Sequence, residues 1–170
     1  MPPLHGDGHW FESSIAHYIN TQKKSKMETL YKLLSDTQAS LFVLFQKTWV
    51  YHWNVVGDDF KQFHDLFGEQ YEAMFGEIDR VTEHMRYLNV KPVPTLSRIT
   101  EVSHISEANS GLDTMGMIAD LLEGHQIFVD LLTQISDEAE LQKSKATINL
   151  VDDLNEAHGK FIWMLRSFTQ

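Results

Sequence analysis

The stretch HWNVVGDDFKQFH, residues 52–64, predicts a tight turn between two long helices. Gly57 suits the end of the first helix, because glycine adopts positive φ without a steric cost. Asp58 and Asp59 follow at once, and their side chains are favourable caps for the start of a second helix. These residues predict that the chain reverses direction here as an αα-hairpin.

Helical periodicity extends outward from this turn and returns near the C-terminus. Apolar residues recur every three or four positions, and no strand-like alternation competes with this pattern. The predicted long helices span residues 27–57, 58–89, 112–135 and 138–168. Pro92 and Pro94 interrupt the periodicity, and the crossover that follows is predicted to carry one short helix at 96–102. Two helical hairpins joined by a long crossover predict an all-α four-helix bundle.

The N-terminal residues differ from the rest of the chain in composition. Residues 1–26 contain two prolines, the segment HGDGH at 5–9 and a small lysine cluster, and they predict a flexible tail with at most a short helix around 12–20. The bundle domain is predicted to occupy residues 27–170. HGDGH offers two imidazoles and a carboxylate to a transition metal, although ordering a flexible tail around an ion costs entropy.

Composition restricts the possible functions. The chain has 42% hydrophobic residues, enough for one core, and no cysteine, which excludes disulfides, thiolate nucleophiles and iron–sulfur clusters. A bound metal must therefore be held by His and carboxylate. The absence of a long apolar run and of a secretory layout predicts a soluble, cytoplasmic protein without membrane contact. The net charge of −10 opposes nonspecific binding to DNA.

Four residues are candidate metal ligands. His52 ends the first predicted helix and His64 begins the second, whereas Asp79 and Glu83 share one face of the second helix. Two imidazoles and two carboxylates suit Fe(II), and zinc or manganese nearly as well. Asp79 follows His64 by 15 residues, which is about 22 Å along a helix. One site can include all four only if a two-fold-related neighbour supplies the acids. Hydrogen bonding near a turn and a solvated helix face are the alternatives.

Three segments carry a family resemblance, namely HWNVVGDDFKQFH (52–64), IDRVTEHMRYL (78–88) and FIWMLRSF (161–168). In order and spacing they resemble the Dps family of mini-ferritins, over roughly residues 27–168. The resemblance implies a ferritin-like four-helix bundle that assembles into a hollow homo-dodecamer. It also implies that Fe(II) is oxidised by hydrogen peroxide or dioxygen at ferroxidase sites between subunits. Ferric iron would then be stored inside, which protects against oxidative stress.

The same resemblance implies the residues of the site. His52, His64, Asp79 and Glu83 match the family's ligands, so they are the predicted catalytic and metal-binding residues. The family has one further Asp, four residues after the second His, and that position is Gly68 here. A glycine cannot ligate a metal. The resemblance therefore predicts a site that lacks one carboxylate.

Two residues are candidates to replace the missing carboxylate. Glu72 lies one further turn along the His64 face, and His158 lies on the fourth predicted helix, which packs beside the first two in such a bundle. His158 is therefore included among the predicted metal ligands, although a solvated or interface-facing position is an equal alternative. Trp53 and Trp163 are implied to pack near the metal end, with core filling as the alternative.

Other polar groups receive simpler interpretations. SDEAE (136–140) is predicted to open the fourth helix, where family members place acids at a three-fold pore and where acids also favour a helix N-terminus. The remaining histidines outside HGDGH are predicted at the surface or between subunits; they are His17, His84, His104 and His125.

Two further functions compete with ferroxidase activity. One is a non-catalytic cage whose altered site holds zinc or iron and oxidises iron poorly, because redox-inert Zn(II) accepts the same ligands. The other is a DNA-compacting protein. The acidic net charge and the absence of a basic C-terminal extension disfavour it.

Overall fold

A computed structural model describes the backbone of residues 8–169, together with the side chains of His17 and of residues 27–169. All regular secondary structure in this part of the chain is helical. The five helices are α1 (Gly8–Asn54), α2 (Phe60–Tyr87), α3 (Leu96–Val102), α4 (Thr114–Gln142) and α5 (Lys145–Arg166). The short helix α3 occupies the crossover residues predicted for it.

The four long helices form two hairpins that pack into one bundle. α1 packs against α2 and α4, α4 packs against α5, and α3 covers α1. The core between them consists mainly of Leu, Ile, Val, Met and Phe side chains. Between residues 8 and 169, no helix is both long and apolar enough to cross a membrane.

The first turn forms as its residues predict, apart from its cap. α1 ends at Asn54, and Gly57 adopts φ 114°, a value that a side chain would disfavour. Asp59 occupies the N-cap position of α2, but its side chain makes no cap hydrogen bond. The turn brings the last residues of α1 beside the first residues of α2.

α1 begins earlier than predicted. It starts at Gly8 instead of near Met27, because residues 9–26 contain no glycine or proline that would stop a helix. The side chains of residues 8–16 and 18–26 lie outside the described part, so the predicted division at residue 26 stays a prediction. Most of HGDGH also lies outside the described residues, and metal capture by it is not tested.

The boundary between α4 and α5 also differs from the prediction. SDEAE does not open the fourth helix, because α4 continues to Gln142 and the chain turns at Lys143, which has φ 57°. Ile135 and Ala139 are both buried and keep this last part of α4 packed on the core. The acids of residues 136–140 therefore lie at a helix C-terminus, where the helix dipole does not favour them.

Candidate metal centre

His52 and His64 meet where α1 gives way to α2. Their rings stack with centroids 3.7 Å apart and planes 23° from parallel. His52 Nδ1 lies 2.7 Å from the carbonyl oxygen of His64, and His64 Nδ1 lies 2.8 Å from the carbonyl oxygen of His52. A carbonyl oxygen only accepts, so each Nδ1 carries a proton and donates it. Each neutral imidazole then keeps a lone pair on Nε2, the tautomer in which a second hydrogen bond orients a metal-binding histidine.

The stacking limits how these two histidines can bind metal. An imidazole directs its lone pair within its own ring plane, toward an ion about 2.1 Å away. Two nearly parallel rings 3.7 Å apart direct their lone pairs along separate lines. The arrangement of His52 and His64 therefore suits one ion per imidazole, as in a two-metal site, better than a single ion shared by both.

Gly68 lies directly against this pair. It is buried on α2, and a Cβ atom built on it would lie 3.3 Å from His52 Cε1 and 3.4 Å from His52 Nδ1. The absence of a side chain thus lets the His52 ring pack close to α2. Tyr71 closes another side, with its ring edge-on to His52 at a centroid distance of 5.1 Å. Gly68, which stands where the family has a ligating Asp, therefore contributes to the packing of the His52 ring.

A buried polar network fixes the end of α1 that carries His52. The Lys47 ammonium lies 2.8 Å from the Asp120 carboxylate on α4, and the Tyr51 hydroxyl donates to the same carboxylate. The Tyr51 hydroxyl also accepts a hydrogen bond from the backbone N–H of Asn109. Burial, followed by the bond to Asp120, raises the pKa of Tyr51 to about 12. Tyr51 therefore stays protonated and joins α1 to α4 one residue before His52.

The structure does not bring the predicted carboxylates to the histidines within one chain. Asp79 and Glu83 are exposed on α2, and Asp79 is about 22 Å along the helix from His64. Glu72 is also exposed and lines a groove with Tyr71. Among the residues whose side chains are described, no group of three or more His, Asp or Glu is arranged to hold a metal ion. A complete site would need ligands from a second chain.

His158 lies in the core instead of beside His52 and His64. It is 0% exposed, with Nδ1 2.8 Å from His125 Nδ1 and Nε2 3.1 Å from a carboxylate oxygen of Glu77. Its position follows from the buried stripe of α5, in which Leu154 and Phe161 are its neighbours one turn away. Both ring nitrogens of His158 are engaged, so the structure offers no support for its predicted role as the replacement ligand.

His125 was predicted at the surface or between subunits, and this prediction is wrong. It is 0% exposed, and burial, followed by the repulsion that a protonated His125 would meet from His158, holds its pKa well below the ordinary value. The signal was present in the sequence, because His125 falls at helical spacing between the buried Leu121 and Phe128. A polar residue at such a position needs buried partners.

The partners form one hydrogen-bonded chain across three helices. His125 Nε2 lies 3.3 Å from Gln70 Oε1, while Gln70 Nε2 has no partner among the described residues. Turning the Gln70 amide over would let its Nε2 donate to His125. His125 Nδ1 then donates to His158, and His158 Nε2 donates to the Glu77 carboxylate. In this arrangement both imidazoles are neutral and every link has one proton.

Trp53 and Trp163, which were predicted to pack near the metal end, are both exposed. Core filling therefore does not explain them. Trp53 is 58% exposed and packs on Trp49 at a centroid distance of 4.6 Å. Trp163 is 66% exposed and lines an apolar cleft with Asp65 and Leu66, close to His64 in the sequence of α2. Their exposure leaves both rings available for contact with another chain.

An apolar groove lies on the outer face of α1 and α2. It has a volume of about 420 Å³, and Phe75, one of its walls, is 69% exposed. Its aromatic and aliphatic lining residues are Phe42, Phe45, Trp49, Tyr71, Phe75 and Ile78. The groove runs along the hairpin from the His52 end to the residue before Asp79. An exposed apolar surface of this kind is typical of a protein–protein contact.

Residues 31–170 match the family described as Ferritin-like domain. The chain belongs to the ferritin family, as a Dps-type mini-ferritin. It is 32% identical over 110 residues to the DNA protection during starvation protein of Brevibacillus brevis. This match covers 65% of this chain and 72% of that protein. It superposes on a Dps protein from Vibrio cholerae O1 with a TM-score of 0.82 and 25% identity, covering 86% of this chain and 92% of the other.

Another relative of this mini-ferritin is named for its induction at low temperature. The chain is 33% identical over 95 residues to a low temperature-induced protein of Nostoc, and the match covers 55% of this chain. The chain spans about half the length of that relative, 53%. These likenesses confirm the predicted fold class, a ferritin-like four-helix bundle with a short helix in the long crossover.

Proposed function

We propose that this mini-ferritin oxidises Fe(II) at sites between subunits and stores the ferric product inside a hollow homo-dodecamer. The observation that carries the proposal is the reciprocal pair of hydrogen bonds between His52 and His64. Those bonds place the proton of each neutral imidazole on Nδ1, so that the lone pair able to bind a metal lies on Nε2.

A second subunit supplies what one chain lacks. In a two-fold dimer, the Asp79 and Glu83 of each chain come to the His52 and His64 of the other, and two equivalent sites result. The apolar groove between these two half-sites fits a contact between copies of this chain, because it lies on the same α1 and α2 face. The Dps protein from Vibrio cholerae is a member of a broad superfamily of ferritin-like diiron-carboxylate proteins, and this relationship supports iron as the ion.

The proposed chemistry needs little from the protein beyond holding the metal. Two Fe(II) ions give up one electron each, and these reduce one hydrogen peroxide molecule with two protons to two water molecules. Dioxygen is an alternative oxidant. Imidazole binds Fe(II), and the carboxylates of Asp79 and Glu83 stabilise the higher charge of Fe(III). By consuming iron and peroxide together, a cytoplasmic cage of this kind would protect against oxidative stress.

Anomalous scattering from crystals soaked separately in Fe(II) and Zn(II) tests this proposal. We expect iron between subunits, bound by His52 and His64 of one chain and by Asp79 and Glu83 of another. A zinc-only signal at these ligands, with no increase in ferric absorbance after Fe(II) and peroxide are added, would favour the non-catalytic cage. Iron bound within a single chain would refute the intersubunit site.

A further inference from the structure

A cleft of about 640 Å³ opens between α1, the segment that follows α2, and α3. This volume is in the range of small-ligand pockets. Its charged lining residues are Lys32, Asp36, Lys91, Arg98, Glu101 and His104. On α1, Asp36 precedes His52 by 16 residues, about 24 Å along the helix. The cleft is therefore separate from the proposed iron site, and what it binds does not depend on that proposal.

A buried acid organises one wall of the cleft. Asp36 is 4% exposed, and its Oδ2 atom accepts from the Lys32 ammonium and lies 3.2 Å from His104 Nε2. The His104 backbone N–H donates to Ser40 Oγ at 3.0 Å, which fixes that residue on α1. Because Asp36 is held by burial, Lys32 and His104 are kept side by side at the cleft. The Lys32 ammonium is thus positioned before any ligand arrives, whereas the single N–H of a neutral His104 is used by Asp36.

A second part of the lining is a rigid segment that carries Lys91. Pro92 and Pro94 restrict its backbone, and the Val93 N–H donates to Oε1 of the buried Gln38 at 2.9 Å. A donor on a pre-ordered segment loses less entropy when it binds a ligand. Lys91 lines the cleft and is exposed, so its ammonium can reach a ligand there.

The charge of the cleft is opposite to that of the protein. Lys32, Lys91 and Arg98 give three positive charges against two negative charges from Asp36 and Glu101, a net of +1 with His104 neutral. The whole chain carries −10. The Arg98–Glu101 ion pair is exposed on both sides and contributes little, so Arg98 can exchange this partner for a ligand. A local excess of donors in an acidic protein favours an anion.

We propose that this cleft binds a small phosphate-type anion. The donors come from three separate segments, with Lys32 on α1, Lys91 on the connecting segment and Arg98 on α3. A tetrahedral phosphate offers oxygen acceptors to several sides at once, whereas a flat carboxylate offers only two. The guanidinium of Arg98 suits two phosphate oxygens. The cleft is larger than one orthophosphate, so pyrophosphate is the appropriate probe.

Isothermal titration of the assembled, metal-free protein with pyrophosphate at low salt tests this assignment. We expect saturable binding of one anion per chain. Arg98→Gln should weaken it about tenfold, because one charge-assisted contact is lost. Glu101→Gln should tighten it several-fold, because a competing acid is removed. Lys160→Gln, which removes an exposed lysine of α5 outside the cleft, is the matched control and should leave binding unchanged.

Three results would overturn the proposal. The first is the absence of saturable binding by a protein whose circular dichroism spectrum shows it folded. The second is an equal loss of affinity in the Lys160→Gln and Arg98→Gln proteins, since that would indicate diffuse attraction to surface charge. The third is acetate binding as tightly as pyrophosphate, which would exclude the phosphate assignment.

Discussion

Replacing Gly68 with Asp would add the carboxylate that the proposed iron site lacks, and the packing around Gly68 indicates the effect on stability. A Cβ atom at residue 68 would lie 3.3 Å from His52 Cε1, so the ring must move by a few tenths of an ångström. That movement disturbs the 2.7 Å bond from His52 to the His64 carbonyl, which is worth about 1 kcal/mol. Replacing a glycine inside a helix with alanine stabilises the folded state by roughly 0.5–1 kcal/mol. We therefore expect the free energy of unfolding of Gly68→Ala to lie within about 1 kcal/mol of the parent value.

Gly68→Asp introduces the same Cβ atom as Gly68→Ala and, in addition, a carboxylate that can bind metal. Cε1 of His52 is bonded to Nε2, so the new carboxylate is within reach of an ion held there. A charge-assisted contact of about 1.5–3 kcal/mol corresponds to at least tenfold tighter binding of the Fe(II) ion beside residue 68, which the missing carboxylate should leave the weaker of the two. Anaerobic calorimetric titration of the parent, Gly68→Ala and Gly68→Asp proteins measures it. Equal tightening by Ala and Asp would refute the reasoning, as would two equally tight ions in the parent.

Three further outcomes are expected. The pKa of His125 is lowered in the folded state, so the folded bundle keeps this imidazole neutral while the unfolded chain can protonate it. The contribution of His125 to stability is therefore complete above about pH 6.5. As the pH falls below that value, the free energy of unfolding decreases by up to about 1.4 kcal/mol per pH unit. Urea unfolding between pH 7 and 5 should therefore show a shallower pH dependence for His125→Phe, and an unchanged slope would count against this assignment. Asp120→Ala should cost about 3–5 kcal/mol in the same assay, because it leaves the Lys47 ammonium buried without a counter-charge; a loss below about 1 kcal/mol would contradict it. With a net charge of −10, the protein should give no gel shift with DNA at physiological salt, and a shift that disappears only at higher salt would disprove this.

Local sequence signals predicted the parts of the fold that local chemistry determines. Gly57 marks the first turn through its positive φ, although the predicted aspartate cap does not form, and the prolines at 92 and 94 delimit the crossover in which α3 forms. The break after α4 was misplaced because acids at 136–140 are typical of a helix start. Packing of Ile135 and Ala139 on the core carries α4 past them, and a local pattern does not contain that contact.

The candidate site was predictable only in part. Spacing identified His52 and His64, but their stacking and reciprocal hydrogen bonds depend on how the turn closes. The partners of His125 were missed because Gln70, Glu77 and His158 come from other helices and are distant in sequence. Asp79 and Glu83 stay predicted ligands, since completing the site requires a second subunit.

Complementation between two inactive variants tests the intersubunit site most directly. One subunit carries His52→Ala with His64→Ala, the other carries Asp79→Asn with Glu83→Gln, and both are co-expressed. In a mixed dimer one site loses both halves while the other regains four intact ligands. Random pairing therefore predicts recovery of about a quarter of the parent rate of Fe(II) oxidation, whereas each variant alone is inactive. Mixed cages that stay as inactive as either variant alone would contradict ligands shared between chains.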